Sequence, residues 1–139
     1  MKTGFFKQID DSCQSTIVSI SLYPSNNNFV KFDYKALVPN WKLLENLSKQ
    51  NITEDFFINS YREQLNLLDP KKVFNDLNSL GGKNDIILMT NGSKKKFCHR
   101  HLVAEWLQIE LNIEIEEYRV GKVSRNRGYM KKIENPTLF

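Results

Sequence analysis

Asp85-Ile86-Ile87-Leu88-Met89-Thr90, followed by Asn91-Gly92-Ser93, decides the fold. A strand with one wet face alternates apolar and polar residues, whereas this run is apolar at almost every position. It therefore reads as a central parallel strand covered on both faces. Such strands are joined by crossovers that are usually helical, and helices are what the neighbouring sequence offers.

Upstream, Asp69-Pro70 supplies an N-cap followed by proline at the first helical position. Val73, Phe74, Leu77 and Leu80 then form one face, and Gly81-Gly82 stops the helix. Before it, a helix starts at Thr53, where Glu54 and Asp55 suit the positive end of the dipole, with Phe57, Tyr61 and Leu65 on the inner face. Pro39-Asn40 opens a further helix carrying Trp41, Leu44 and Leu47. Thr16 to Leu22 is short and β-branched, and the turn residues Tyr23 to Asn28 end it, so it reads as a first strand. Phe29 to Val38 is mixed and takes no assignment. Downstream come a loop over Asn91 to Phe97, a helix from about Cys98 to Leu111, and an alternating last strand from Ile113 to Val120. The fold class is α/β, a small, mostly parallel sheet of three to five strands with helices on both faces.

With 139 residues the chain is one domain's worth, and folding should bury roughly two thirds of its unfolded surface. Neither a signal peptide nor the ~20 apolar residues of a membrane span is found, so a cytoplasmic protein with no membrane partner is expected. Cys13 and Cys98 are too few for a secreted disulfide framework. The net charge of +4 is local: from Gly121 onward there are five basic residues against Glu134, while the rest carries fifteen of each sign. Residues 1–120 thus form the α/β domain and 121–139 a basic C-terminal extension. The body offers no nucleic-acid footprint. The extension, with Tyr129 as its one stacking aromatic, reads first as a solvated tail and second as an arm for nucleic acid.

Ligands of parallel α/β sheets bind beyond the carboxyl ends of the strands, and there the sequence places Phe97-Cys98-His99-Arg100-His101. Stepping at 100° per residue puts His99 with Val103, Trp106 and Leu107 on one stripe, with Arg100 on its flank. His101 falls on the opposite side with Glu105, and is expected to be solvated and paired with it. Cys98 sits in the first turn, where free N–H groups and nearby cations lower a thiol pKa. Arg100, always charged, needs an anionic partner or a cage of carbonyls. Gly92-Ser93-Lys94-Lys95-Lys96 adds three ammonium groups near the same mouth.

Three readings follow. In the first, a nucleotide-like or other phosphorylated small anion binds, with or without turnover, with Arg100 as clamp, Tyr23, Thr90, Asn91 and Ser93 as wall, and Lys94 nearby. The second is a hydrolase or transferase on such a ligand, with Cys98 as nucleophile and His99 as acid or base. The third is an interaction module for nucleic acid or protein that uses the basic tail and the lysine loop. A cysteine phosphatase is excluded, because it needs Arg six positions after its nucleophile and position 104 is Ala. Adjacent Cys98, His99 and His101 splay around a helix, so no metal is expected. No dinucleotide fingerprint, phosphate loop or His-Glu-x-x-His is present, so no cofactor is expected.

Phe97-Cys98-His99-Arg100-His101-Leu102-Val103-Ala104-Glu105-Trp106-Leu107 after the strand Asp85 to Met89 resembles the signature of the domain-of-unknown-function 488 family. Ser19 to Pro24 and Tyr34 to Pro39 are similar to that family's segments around its first strand. The likeness spans about Thr16 to Tyr118. It implies a compact α/β domain of bacterial or phage type and no particular activity. Members often carry a second Cys at the end of the strand before the loop; Thr90 stands there, which argues against a two-thiol redox or metal role.

Overall fold

The computed structural model describes residues 1–22 and 28–133. Five strands form one all-parallel sheet in the order β3-β2-β4-β1-β5: β1 (Lys2–Phe5), β2 (Thr16–Ser19), β3 (Val30–Asp33), β4 (Ile86–Thr90) and β5 (Glu116–Glu117). The apolar run is β4, and it lies at the centre with all five residues buried. β1 was not expected from the sequence. It is four residues long with Gly4 in its middle and carries no periodic signal, yet it pairs with both β4 and β5. β3 comes from the unassigned segment and forms an edge. The last strand is much shorter than the alternating run from Ile113 to Val120.

Four helices join these strands: α1 (Trp41–Ser48), α2 (Glu54–Asn66), α3 (Pro70–Gly81) and α4 (His99–Leu111). The starts of α1 and α3 follow the capping residues read from the sequence, and Thr53, read as the first residue of its helix, is the N-cap of α2. Asn40 accepts from the Lys42 N–H, Thr53 from Phe56, and Asp69 from Lys71 and Lys72. Trp41 departs from expectation, being 52% exposed although it lies on the stripe of Leu44 and Leu47.

Alternation along the strands divides the core. Ile86 and Leu88 share one cluster with Val18, Ile20 and the apolar faces of all four α-helices, including Phe57, Tyr61, Leu77, Val103 and Leu107. Ile87 and Met89 point the other way, into a smaller cluster with Ile17 and Phe6, which belongs to a short 3-10 helix (Phe6–Gln8). Helical segments thus lie on both faces, with the larger share of them on one. The register pairs Thr3 with Leu88 and Glu117, and Phe5 with Thr90. By the period of two, Thr3, Phe5, Thr90 and Glu117 therefore look toward α4.

The basic stretch after Gly121 is not a solvated tail over the described residues. It folds back as an antiparallel hairpin, β6 (Val123–Asn126) and β7 (Tyr129–Lys132), packed on α4. Val123 is buried, and the Arg125 side chain is only 1% exposed. No helix among the described residues is long and apolar enough to cross a membrane.

Candidate active site

Cys98 is the residue before the first turn of α4, with extended backbone (φ −152°, ψ 138°). Its thiol lies 3.1 Å from the Thr90 hydroxyl at the carboxyl end of β4. Both residues line a cavity of about 420 Å³, walled by Leu44 and Leu47 of α1, Phe57 of α2, and Phe97. His99 lines it too, and its Nε2 lies 2.7 Å from the Ile20 carbonyl. A carbonyl only accepts, so Nε2 donates to it, and the other nitrogen is left to take the Cys98 proton.

Beneath the thiol lies a buried chain of charges. Arg100 is fully buried and holds Glu117 through Nε at 3.2 Å and Nη2 at 2.8 Å. Its remaining donors reach the Thr90 hydroxyl at 3.3 Å and the Ser93 carbonyl at 3.1 Å, and its guanidinium stacks over Phe5. Glu117 also accepts from the Thr3 hydroxyl at 2.6 Å. On its far side, Nη1 of Arg125 approaches it to 4.0 Å.

Burial alone would raise the Cys98 thiol. The His99 hydrogen bond, the charges of His99 and Arg100, and the Thr90 hydroxyl overcome that and bring it down to about 6. Two buried guanidiniums here face one carboxylate, so the group is short of a negative charge that a Cys98 thiolate supplies.

A family model described as the active DUF488-N3 subclade matches residues 12–111, well over half of the chain. The chain belongs to the DUF488 family. No curated protein and no solved structure matches it. In this DUF488 chain the helix start that carries the likeness is also the start of the site. Thr90 forms a hydrogen-bonded pair with Cys98. The match ends before Glu117, Arg125 and the hairpin.

The other expected site residues divide. Asn91 lines the cavity beside Thr90. Ser93 does not; it contributes its carbonyl to Arg100. Lys94 is exposed and stands outside the wall, and Tyr23 lies outside the described residues. Arg100 is not an open clamp: the anion it requires is Glu117, so its guanidinium is closed off from the cavity.

His101 is 1% exposed rather than solvated, because the hairpin covers that side of α4. Glu105, its expected partner, pairs with Arg62 instead. Nδ1 of His101 accepts from Arg125 at 2.6 Å, which leaves its protonated Nε2 buried with no partner. Burial, with the charges of Arg100, Arg125 and His99, holds its pKa down to about 2.

Glu117 was missed as a site residue, although the sequence carries a signal for it. It follows Ile113 and Ile115 on the inward parity of an alternating strand, where a carboxylate needs a buried cation. Among the described residues, no three His, Cys, Asp or Glu side chains converge as a metal site requires.

Proposed function

We propose that the protein is a thiol-dependent hydrolase or transferase in which Cys98 attacks a small nucleotide-like or otherwise phosphorylated ligand held in the cavity. One observation carries this reading: a buried thiol that lines a cavity has His99, Arg100 and Thr90 around it, and together they bring its pKa down to about 6. A cysteine kept only for packing has no use for three such partners and would be raised by burial. The matched subclade is described as active, which supports turnover over binding alone.

The chemistry closes with the residues present. Sγ of Cys98 bonds to an electrophilic carbon of the ligand as the bond to the leaving group breaks. The thiol proton, passed to the His99 nitrogen that is not tied to Ile20, goes from there to the leaving group. Water, or an acceptor hydroxyl in a transferase, then returns a proton to that nitrogen while attacking the same carbon, and the carbon–sulfur bond breaks to restore the thiolate. The apolar wall of Leu44, Leu47, Phe57 and Phe97 suits a flat or apolar body. Lys94, Lys95 and Lys96, exposed on the loop that follows Asn91 and Gly92, suit phosphate at the mouth. A reducing compartment such as the cytoplasm would keep the thiol available.

Binding without turnover is the runner-up. An interaction role for the tail is weaker, because Lys122, Arg125 and Arg127 already face Glu114, Glu117 and Asp55. The test is a panel of nucleoside phosphates and sugar phosphates, read by thermal shift and by product analysis on wild type, Cys13→Ser and Cys98→Ser. A ligand at 100 times its Kd adds about 2.7 kcal/mol. We expect that stabilisation in all three proteins and product in all but Cys98→Ser. Product formed by Cys98→Ser would refute the nucleophile, and stabilisation with no product from wild type or Cys13→Ser would favour binding alone.

A further inference from the structure

We propose that Arg125 is a positioning residue for Cys98, and that the hairpin carrying it is a working part of the site rather than an appendage; the proposal rests on Cys98 being the nucleophile. Its ground is the way β6 and β7 seat themselves at the start of α4.

Arg127 (φ 51°) and Gly128 (φ 88°) form the two-residue turn between the strands, both in the left-handed region that tight hairpin turns require. The turn points the Gly128 carbonyl at the Cys98 N–H, which donates to it at 2.9 Å. The Phe97 ring lies so close over Gly128 that a Cβ there would stand 2.2 Å from it. That ring is held edge-on by Phe57 at 5.5 Å and by Tyr129 at 5.8 Å. The turn is tied to the first turn of α2 by Arg127 to Asp55 at 2.6 Å and by the Tyr129 hydroxyl to Glu54 at 2.8 Å. The backbone of the reactive cysteine is therefore set by a segment beyond the family match.

Arg125 adds the electrostatic half. Its Nη2 donates to the Ile115 carbonyl at 2.7 Å and its Nη1 to His101 Nδ1 at 2.6 Å, which aims the guanidinium at Glu117. Glu117 is thus shared between two cations. Without Arg125, Arg100 answers that carboxylate alone, and the positive field it projects onto Sγ is largely cancelled. The polar groups coupled to the thiol are Tyr61 from α2, Thr90 from β4, and His99 and Arg100 from α4; Glu117 from β5 and Arg125 from β6 bear on it through Arg100, with His101 of α4 against Arg125. Arg125, like Arg100 and Glu117, stands outside the cavity wall, so its removal unbalances the charges without altering that wall.

The experiment is the rate of Cys98 alkylation by iodoacetamide against pH, in full-length protein carrying Cys13→Ser, for Arg125 and its Lys, Met and Gln variants. Leaving Glu117 to Arg100 alone should move the midpoint up by about one pH unit, roughly a tenfold loss of thiolate below both midpoints. Arg125→Lys should restore most of it. Arg125→Gln, which can still reach the Ile115 carbonyl, carries the test if Arg125→Met does not fold. A lowered melting temperature with an unmoved midpoint would mean Arg125 is only a staple, overturning the inference while leaving the nucleophile intact. A parent midpoint at the ordinary thiol value would overturn both, and product from Cys98→Ser alongside a shifted midpoint would remove Cys98 as the nucleophile while leaving Arg125 as a residue that sets its ionisation.

Discussion

A Cβ on Gly92 would stand 2.6 Å from Nη1 of Arg100 and 3.0 Å from Sγ of Cys98. A flexible arginine tip usually yields to such a contact, but this one is pinned by Glu117, Thr90 and the Ser93 carbonyl. Gly92→Ala should therefore cost about 1–3 kcal/mol, the range for overpacking a tight interior, and slow alkylation of Cys98. Denaturant unfolding and the alkylation rate check the two halves. His101 gives a second outcome at this scale. Its folded value near 2 lies below the ordinary 6.5, so between those values the unfolded chain binds a proton that the folded one refuses. Stability should be unaffected by this group above about pH 6.5 and should fall as the pH drops below it. His101→Gln, which can still accept from Arg125, should flatten the acid side of a melting-temperature profile from pH 4 to 7.

Among the elements, those with capping signals were legible in the sequence. Asp69-Pro70, Thr53 and Asn40 mark the starts of α3, α2 and α1, and the dense apolar run marks β4, because caps and uniform burial are local properties. Asp69→Ala should cost about 1 kcal/mol, seen as a lower denaturant midpoint at unchanged slope. β1 was not legible: Lys2 to Phe5 is a strand only because β4 and β5 flank it. The hairpin was missed for a related reason. Its composition is that of a solvated tail, and what fixes it is a buried guanidinium whose partners come from α4 and β5. The same contact reversed the expectation for His101, since the wheel of α4 shows which residues share a side but not that a hairpin covers the polar one.

For the whole molecule, the sheet order brings together what the sequence kept apart. Thr3, Thr90, Cys98, Arg100, Glu117 and Arg125 come from five elements and meet at the carboxyl ends of β1 and β4 or beside them. The location of the site could be read from the apolar strand, the polar loop and the Cys-His-Arg helix start. Its electrostatics could not, because the anion for Arg100 lies seventeen residues downstream on a strand two residues long. That internal pairing turns an expected anion clamp into support for a thiolate, and everything claimed for the function depends on it.

The most direct test is the far-ultraviolet thiolate absorbance of wild type minus that of Cys98→Ser, followed from pH 4 to 10. A single ionisation centred near pH 6 is the expected result. A midpoint at or above about 8.5, the value of a free cysteine, would contradict the account and leave Cys98 a packed, inert side chain.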